Sequence, residues 1–136
     1  LVTESEFTSN KKDILLVEDD EDILNLVKTL LELEGYIVRC AKNGEEALSS
    51  LHSNQNLPSL ILLDLMMPVM DGTKFREEQI KNPRIAGVPV VIMSAANQIE
   101  AKSSQIGITA FLKKPLDIDC ITETVKNILT PEFSIV

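Results

Sequence analysis

Four tracts carry side chains that could do chemistry together: the acidic run Glu18, Asp19 and Asp20, the single Asp64, the hydroxyl of Ser94, and the ammonium groups of Lys113 and Lys114. Each directly follows an apolar stretch, respectively ILLV, LILL, VPVVIM and TAFL. If those stretches lie side by side and point the same way, the polar groups share one rim. Like charges about 4 Å apart repel by roughly 4 kcal/mol at an effective dielectric near 20. Such a cluster must bind a cation or take up protons. Oxygen ligands without His or Cys favour a hard ion, and Mg²⁺, which takes one or two carboxylates plus a phosphate oxygen, fits better than calcium or zinc. A carboxylate can itself be the nucleophile in phosphoryl transfer, forming an aspartyl phosphate. Asp64 is best placed for that role, with the Ser94 hydroxyl and the Lys114 ammonium able to meet the phosphoryl oxygens.

The positioning elements are legible in the hydropathy pattern. Ile14 to Val17, Leu60 to Leu63 and Val88 to Met93 are continuous apolar runs, as expected of parallel strands buried on both faces. Tyr36 to Ala41 and Thr109 to Lys113 are more mixed and read as edge strands. Helical spacing fills the gaps. Ile23, Leu26, Val27, Leu30 and Leu33 form one stripe, which Gly35 ends; Gly44 to Ser53 and Asp71 to Lys81 give two more helices, the latter resting on Phe75 and Ile80. A thin stripe, Ile99 and Ile106, suggests a fourth over 96–106, and Ile118, Ile121, Val125, Ile128 and Leu129 a fifth. Strict alternation of strand and helix implies an open parallel sheet with right-handed crossovers. The expected fold is α/β, a flavodoxin-like doubly wound five-stranded sheet of order 2-1-3-4-5 with five helices. Its binding crevice lies beyond the carboxyl ends of the strands, where the four tracts end.

Composition narrows the function classes. The 136 residues, 44% hydrophobic and 25% charged, suit one globular domain. Thirteen basic against twenty-one acidic side chains, a net charge of -8, oppose direct nucleic-acid binding by this segment. No apolar run reaches membrane-spanning length, and LVTESEFTSNKK is too polar for a signal peptide, so a cytoplasmic protein is expected. Cys40 and Cys120 show neither disulfide nor zinc spacing and read as reduced packing residues. His52 reads as a surface residue. Leu1 in place of methionine points to a processed product or an excised segment.

The segments ILLVEDDEDI, LILLDLMMPVMDG, VVIMSA and AFLKKP resemble, in order and spacing, the four signature segments of the receiver domain of two-component response regulators, the chemotaxis-regulator-like phosphoacceptor domain. The resemblance spans about residues 12–130, leaving 1–11 as a polar extension and 131–136 as a tail. It implies that Asp64 accepts a phosphoryl group from a histidine kinase or histidine phosphotransfer protein. It also implies that Asp19 is the principal acidic Mg²⁺ ligand, with Glu18 assisting through water and the Met66 carbonyl a further ligand. Ser94 and Lys114 would contact the phosphoryl oxygens. Phe111 would hold the place of the aromatic switch, and the face of the fourth helix, fifth strand and fifth helix would change its partners. The Lys114–Pro115 peptide is typically cis in that family. Three positions depart from the commonest pattern: Phe111 for tyrosine, Glu18 for aspartate, and Ile108 where alanine is frequent after Gly107. Such a domain is regulatory, catalysing at most its own phosphorylation and dephosphorylation. The alternatives are a degenerate receiver acting as a constitutive protein-interaction module, and a small phosphohydrolase or flavin protein on the same fold. VEDDED would repel a flavin phosphate, which disfavours the last.

Overall fold

Strands form where the apolar runs predicted them. β1 (Asp13–Val17), β3 (Leu60–Asp64) and β4 (Val90–Ser94) are buried almost throughout, whereas β2 (Ile37–Ala41) and β5 (Ala110–Lys113) are partly exposed. A computed structural model describes residues 13–95 and 107–130. All five strands are parallel, in the order β2-β1-β3-β4-β5. This is the flavodoxin-like order expected. β4 begins at Val90 rather than Val88 because Pro89 has no N–H to donate, although its carbonyl still accepts from Ile61 N–H at 2.9 Å.

Alternation along each strand sends side chains to two separate cores. Leu15, Val17, Ile61, Leu63, Val90 and Ile92 face one side, packed with Phe75 and Leu51. Ile14, Leu16, Leu60, Leu62, Val91 and Met93 face the other, against Val27, Leu31, Ile121 and Val125. Helices α2 (Gly44–Ser53) and α3 (Gly72–Lys81) cover the first face, and α1 (Glu21–Leu33) and α4 (Ile118–Leu129) the second. Each starts at an Asp or Asn whose side chain accepts from backbone N–H groups of the first turn: Asp20, Asn43, Asp71 and Asp117. Gly35, at φ 97°, closes α1, its N–H donating to the Glu32 carbonyl.

Three expectations are corrected. The buried stripe of α1 is Leu24, Val27 and Leu31, with Ile23 and Leu30 flanking; Leu26 and Leu33 point outward. So leucine-rich a helix offers more than one stripe, and the sheet takes the one best centred on it. In α3 the buried partner of Phe75 is Gln79, while Ile80 is about half exposed. The Gln79 amide donates to the carbonyls of Ile85 and Val88, which lie just before β4; the Ile85 carbonyl also accepts from Val88 N–H at 3.2 Å. Cys40 and Cys120 are free and exposed rather than packed. The described residues hold four helices, and the helix expected over 96–106 lies outside them.

Candidate functional site

Register aligns the carboxyl ends. Val17 pairs with Leu63, Asp64 with Met93, and Ser94 with Lys113, so the residues that follow β1, β3, β4 and β5 meet at one edge. The opening there, about 290 Å³, is lined by Glu18, Asp19, Asp20, Ile23, Asp64, Met66, Ser94, Ala95 and Lys114. The structure therefore brings together Glu18, Asp19, Asp64, Met66, Ser94 and Lys114. Phe111 stands apart, on β5.

The carboxylates crowd. Glu18, Asp19 and Asp64 each present an oxygen within 4.8 Å of the others. Glu18 is fully buried and Asp64 is 3% exposed, whereas Asp19 faces solvent. Lys114 Nζ lies 3.0 Å from Glu18 Oε1 and 3.5 Å from Asp64 Oδ1. Its single positive charge thus sits closer to Glu18 and compensates only part of Asp64. Burial, followed by the charge of Glu18, pushes the Asp64 carboxyl up from 3.8 to about 7, against the lowering effects of Lys114 and of the Met66 N–H. Burial alone would lower the Lys114 ammonium. The hydrogen bond to Glu18 and the charges of Asp64 and Glu18 outweigh it and hold the ammonium above its ordinary range.

Backbone groups fix these side chains. Met66 N–H donates to Asp64 Oδ1 at 3.2 Å, and Asp20 N–H to Glu18 Oε2 at 3.1 Å. Lys114 N–H donates to the Ser94 carbonyl at 2.9 Å, tying the end of β5 to that of β4, and the Lys114–Pro115 peptide is cis. Asp20 lines the opening but is engaged as the cap of α1. Met66 is about half exposed and Met67 buried. Sequence reasoning missed the glycines that shape this edge. A Cβ on Gly72 would lie 2.4 Å from the Asp64 carbonyl oxygen, so α3 can approach β3 this closely because that residue has no side chain. The available signal is a glycine opening a helix directly after its Asp71 cap, where a side chain would ordinarily be tolerated.

Phe111 pairs in register with Ile92 and is 46% exposed. It borders a groove of about 410 Å³ with Leu112, Lys113, Pro115, Asp117, Cys120 and Thr124.

Both the sequence and the fold have counterparts among known proteins. The sequence profile of the response regulator receiver domain matches residues 14–126. The chain belongs to the response regulator receiver domain family. Response regulator Rre1 of Synechocystis is 34% identical over 119 residues, which are 85% of this chain and 51% of that protein. A crystal structure of a response regulator from Chloroflexus aurantiacus, 31% identical, superposes with a TM-score of 0.79 over 87% of this chain and 97% of the other. The receiver domain of a signal transduction histidine kinase from Syntrophus aciditrophicus, 28% identical, gives 0.80 over 92% and 97%. The chain thus spans about half of Rre1, and 40% and 48% of two other relatives named as transcriptional regulators, one of them described as DNA-binding. The opposition of its charge to nucleic-acid binding concerns these 136 residues and does not extend to a longer protein. Receiver domains are regulatory signalling modules of two-component systems, and their partners include histidine kinases. No helix among the described residues is long and apolar enough to cross a membrane.

Proposed function

We propose that this receiver is a phosphorylation-controlled switch in which Asp64 accepts a phosphoryl group from a histidine kinase or histidine phosphotransfer protein in a Mg²⁺-dependent reaction. The observation that carries this reading is the convergence of Glu18, Asp19 and Asp64 within 4.8 Å, with a lysine serving two of them. An oxygen-only set of this kind suits a hard divalent ion, held by Asp19, Asp64 and the Met66 carbonyl, with Glu18 assisting through water. Such an ion would neutralise the pocket and lower the Asp64 carboxyl from about 7 into its ionised, nucleophilic form.

The chain's own residues do the rest. An Asp64 oxygen forms its bond to phosphorus while the donor's N–P bond breaks, the electron pair returning to the imidazole nitrogen. Lys114, already 3.5 Å from Asp64 Oδ1, and the Ser94 hydroxyl, on the adjacent strand end, receive the phosphoryl oxygens. The phosphoryl group adds about -1.5 to -2 of charge, enough for one to three new charge-assisted hydrogen bonds. The surface of β5 and α4 around Phe111 then exchanges partners; the 96–106 segment expected to share that face lies outside the described residues. The intact Asp64, Asp19 and Lys114 argue against a degenerate receiver acting as a constitutive interaction module. The test is incubation with acetyl phosphate and Mg²⁺, then intact mass measurement. One acid-labile phosphoryl group is expected on the parent and none on Asp64→Asn or in EDTA; equal gain by parent and variant would overturn the reading.

A further inference from the structure

Helical periodicity picks out a leucine stripe on α1 that the sheet does not take. Leu26, Leu30 and Leu33 recur at i, i+4 and i+7, so they share one flank of the helix. Leu30 is partly buried against the second core, whereas Leu26 is 50% and Leu33 80% exposed. Single exposed leucines are ordinary on a protein surface, but two that continue a partly buried third make a patch. The fold has no need of them, because Leu24, Val27 and Leu31 already fill the sheet-facing side of α1.

That flank borders α4. Glu34 stands one turn beyond Leu30, still in right-handed helical backbone, and so continues the same row. With Asp119, Glu123, Lys126 and Thr130 of α4 it lines an opening of about 560 Å³. α1 and α4 lie side by side over one core, and the leucine row runs along the α1 lip of the trough between them. The four α4 residues recur at i, i+4, i+7 and i+11, a face three turns and about 16 Å long. Three carboxylates, Glu34, Asp119 and Glu123, stand there against the one ammonium of Lys126. None of these residues lines the opening above Asp64.

We propose that the trough between α1 and α4 is a docking surface for a basic amphipathic helix of a partner protein. Its apolar side chains would lie on Leu26 and Leu33 and its lysines or arginines would meet Glu34, Asp119 and Glu123. Two parallel walls of helix favour a third helix, laid in the groove with apolar anchors one and two turns apart. Charge selects the rest of the occupant. A second copy would set the same three carboxylates against their like, and the adjoining segment 131–136, PEFSIV, brings a glutamate and no basic residue. This surface does not depend on Asp64 being a phosphoacceptor.

The probe is a fluorescent peptide of leucine and lysine alone, with leucine at helical spacing over about three turns. Nitrogen-15 NMR of the full chain locates it and fluorescence anisotropy measures its affinity. Shifts are expected along Leu26–Glu34 and Asp119–Thr130. Binding should be about tenfold weaker for the same peptide scrambled or with glutamate for lysine, and for the chain carrying Leu26→Ser with Leu33→Ser. Asp119→Lys with Glu123→Lys should weaken it equally. Glu45→Lys with Glu77→Lys makes the same change of net charge on the helices of the other sheet face and should bind as the parent does. All six side chains are exposed, so each variant folds. The bound peptide should leave the rate of modification by acetyl phosphate unchanged. Shifts centred on Glu18 and Asp64, or equal binding by the scrambled peptide, overturn the proposal. So do a leucine variant that binds as the parent, equal weakening by the Glu45 and Glu77 pair, or a parent dimer that Leu26→Ser with Leu33→Ser dissolves. Each of these failures leaves the role of Asp64 intact, and a chain that acetyl phosphate cannot modify leaves the docking surface intact.

Discussion

Replacing Asp64 by asparagine should stabilise the fold, and the pH at which it does so is fixed by the cause. The Asp64 carboxyl stands at about 7 in the folded chain against 3.8 for an unperturbed side chain. Because the folded value is the higher one, the native state binds more protons between those limits. Stability therefore falls as pH rises through that window, and the loss is complete above about 7. A shift of this size corresponds to about 4 kcal/mol at most. The opening faces solvent and screens part of it, so about 2 kcal/mol is the working expectation. Asparagine has a similar shape and no charge to repel Glu18. In EDTA near pH 8.5, Asp64→Asn should raise the midpoint of thermal unfolding by roughly 6 to 10 °C, and near pH 4, at the lower limit of that window, the difference should largely vanish. Circular dichroism melts of parent and variant across that range are the assay. A difference of the same size at both pH values would refute the reasoning, because a pH-independent gain would come from packing and not from ionisation.

Other expectations concern the supports of the pocket. Lys114→Met leaves Glu18 buried without its cation; urea unfolding near pH 8 should show a loss of about 2 to 3 kcal/mol, and acetyl phosphate should modify the variant at least tenfold more slowly. Gly72→Ala drives a methyl group to 2.4 Å from the Asp64 carbonyl oxygen and should lower stability by about 1 to 3 kcal/mol, again by urea unfolding, with slower phosphorylation because β3 and α3 must separate. Gln79→Leu keeps an apolar volume but removes the amide donor to the Val88 carbonyl and one of the two donors to the Ile85 carbonyl, and a loss of about 1 to 3 kcal/mol with no change in acetyl phosphate reactivity is expected.

Much of this architecture was legible because parallel strands buried on both faces need unbroken apolar runs. Ile14–Val17 and Leu60–Leu63 admit no other strand assignment, and a polar residue after each must fall at the same sheet edge. The convergence of Glu18, Asp64 and Lys114 follows from topology, not from proximity in sequence. Less legible was which side of a helix faces inward when several stripes are available. Leu24 and Leu31 line the core where Leu26 and Leu33 fitted the period as well, since the choice depends on the tilt of α1 over the sheet. Gln79 escaped because its burial depends on two carbonyls in a following loop, and hydropathy assigns no role to a polar side chain that satisfies distant backbone. How completely Glu18 is buried was not visible either, although its place after β1 was.

The central claim is that the Asp64 carboxyl, buried and crowded by Glu18, is held partly protonated near neutral pH until a cation lowers it. Carbon-13 NMR titration of that carboxyl, with and without Mg²⁺, tests it most directly. In EDTA it should titrate near 7, and saturating Mg²⁺ should bring the midpoint well down. Titration near 3.8 in EDTA, unmoved by Mg²⁺, would show a solvated, independent aspartate and contradict the account.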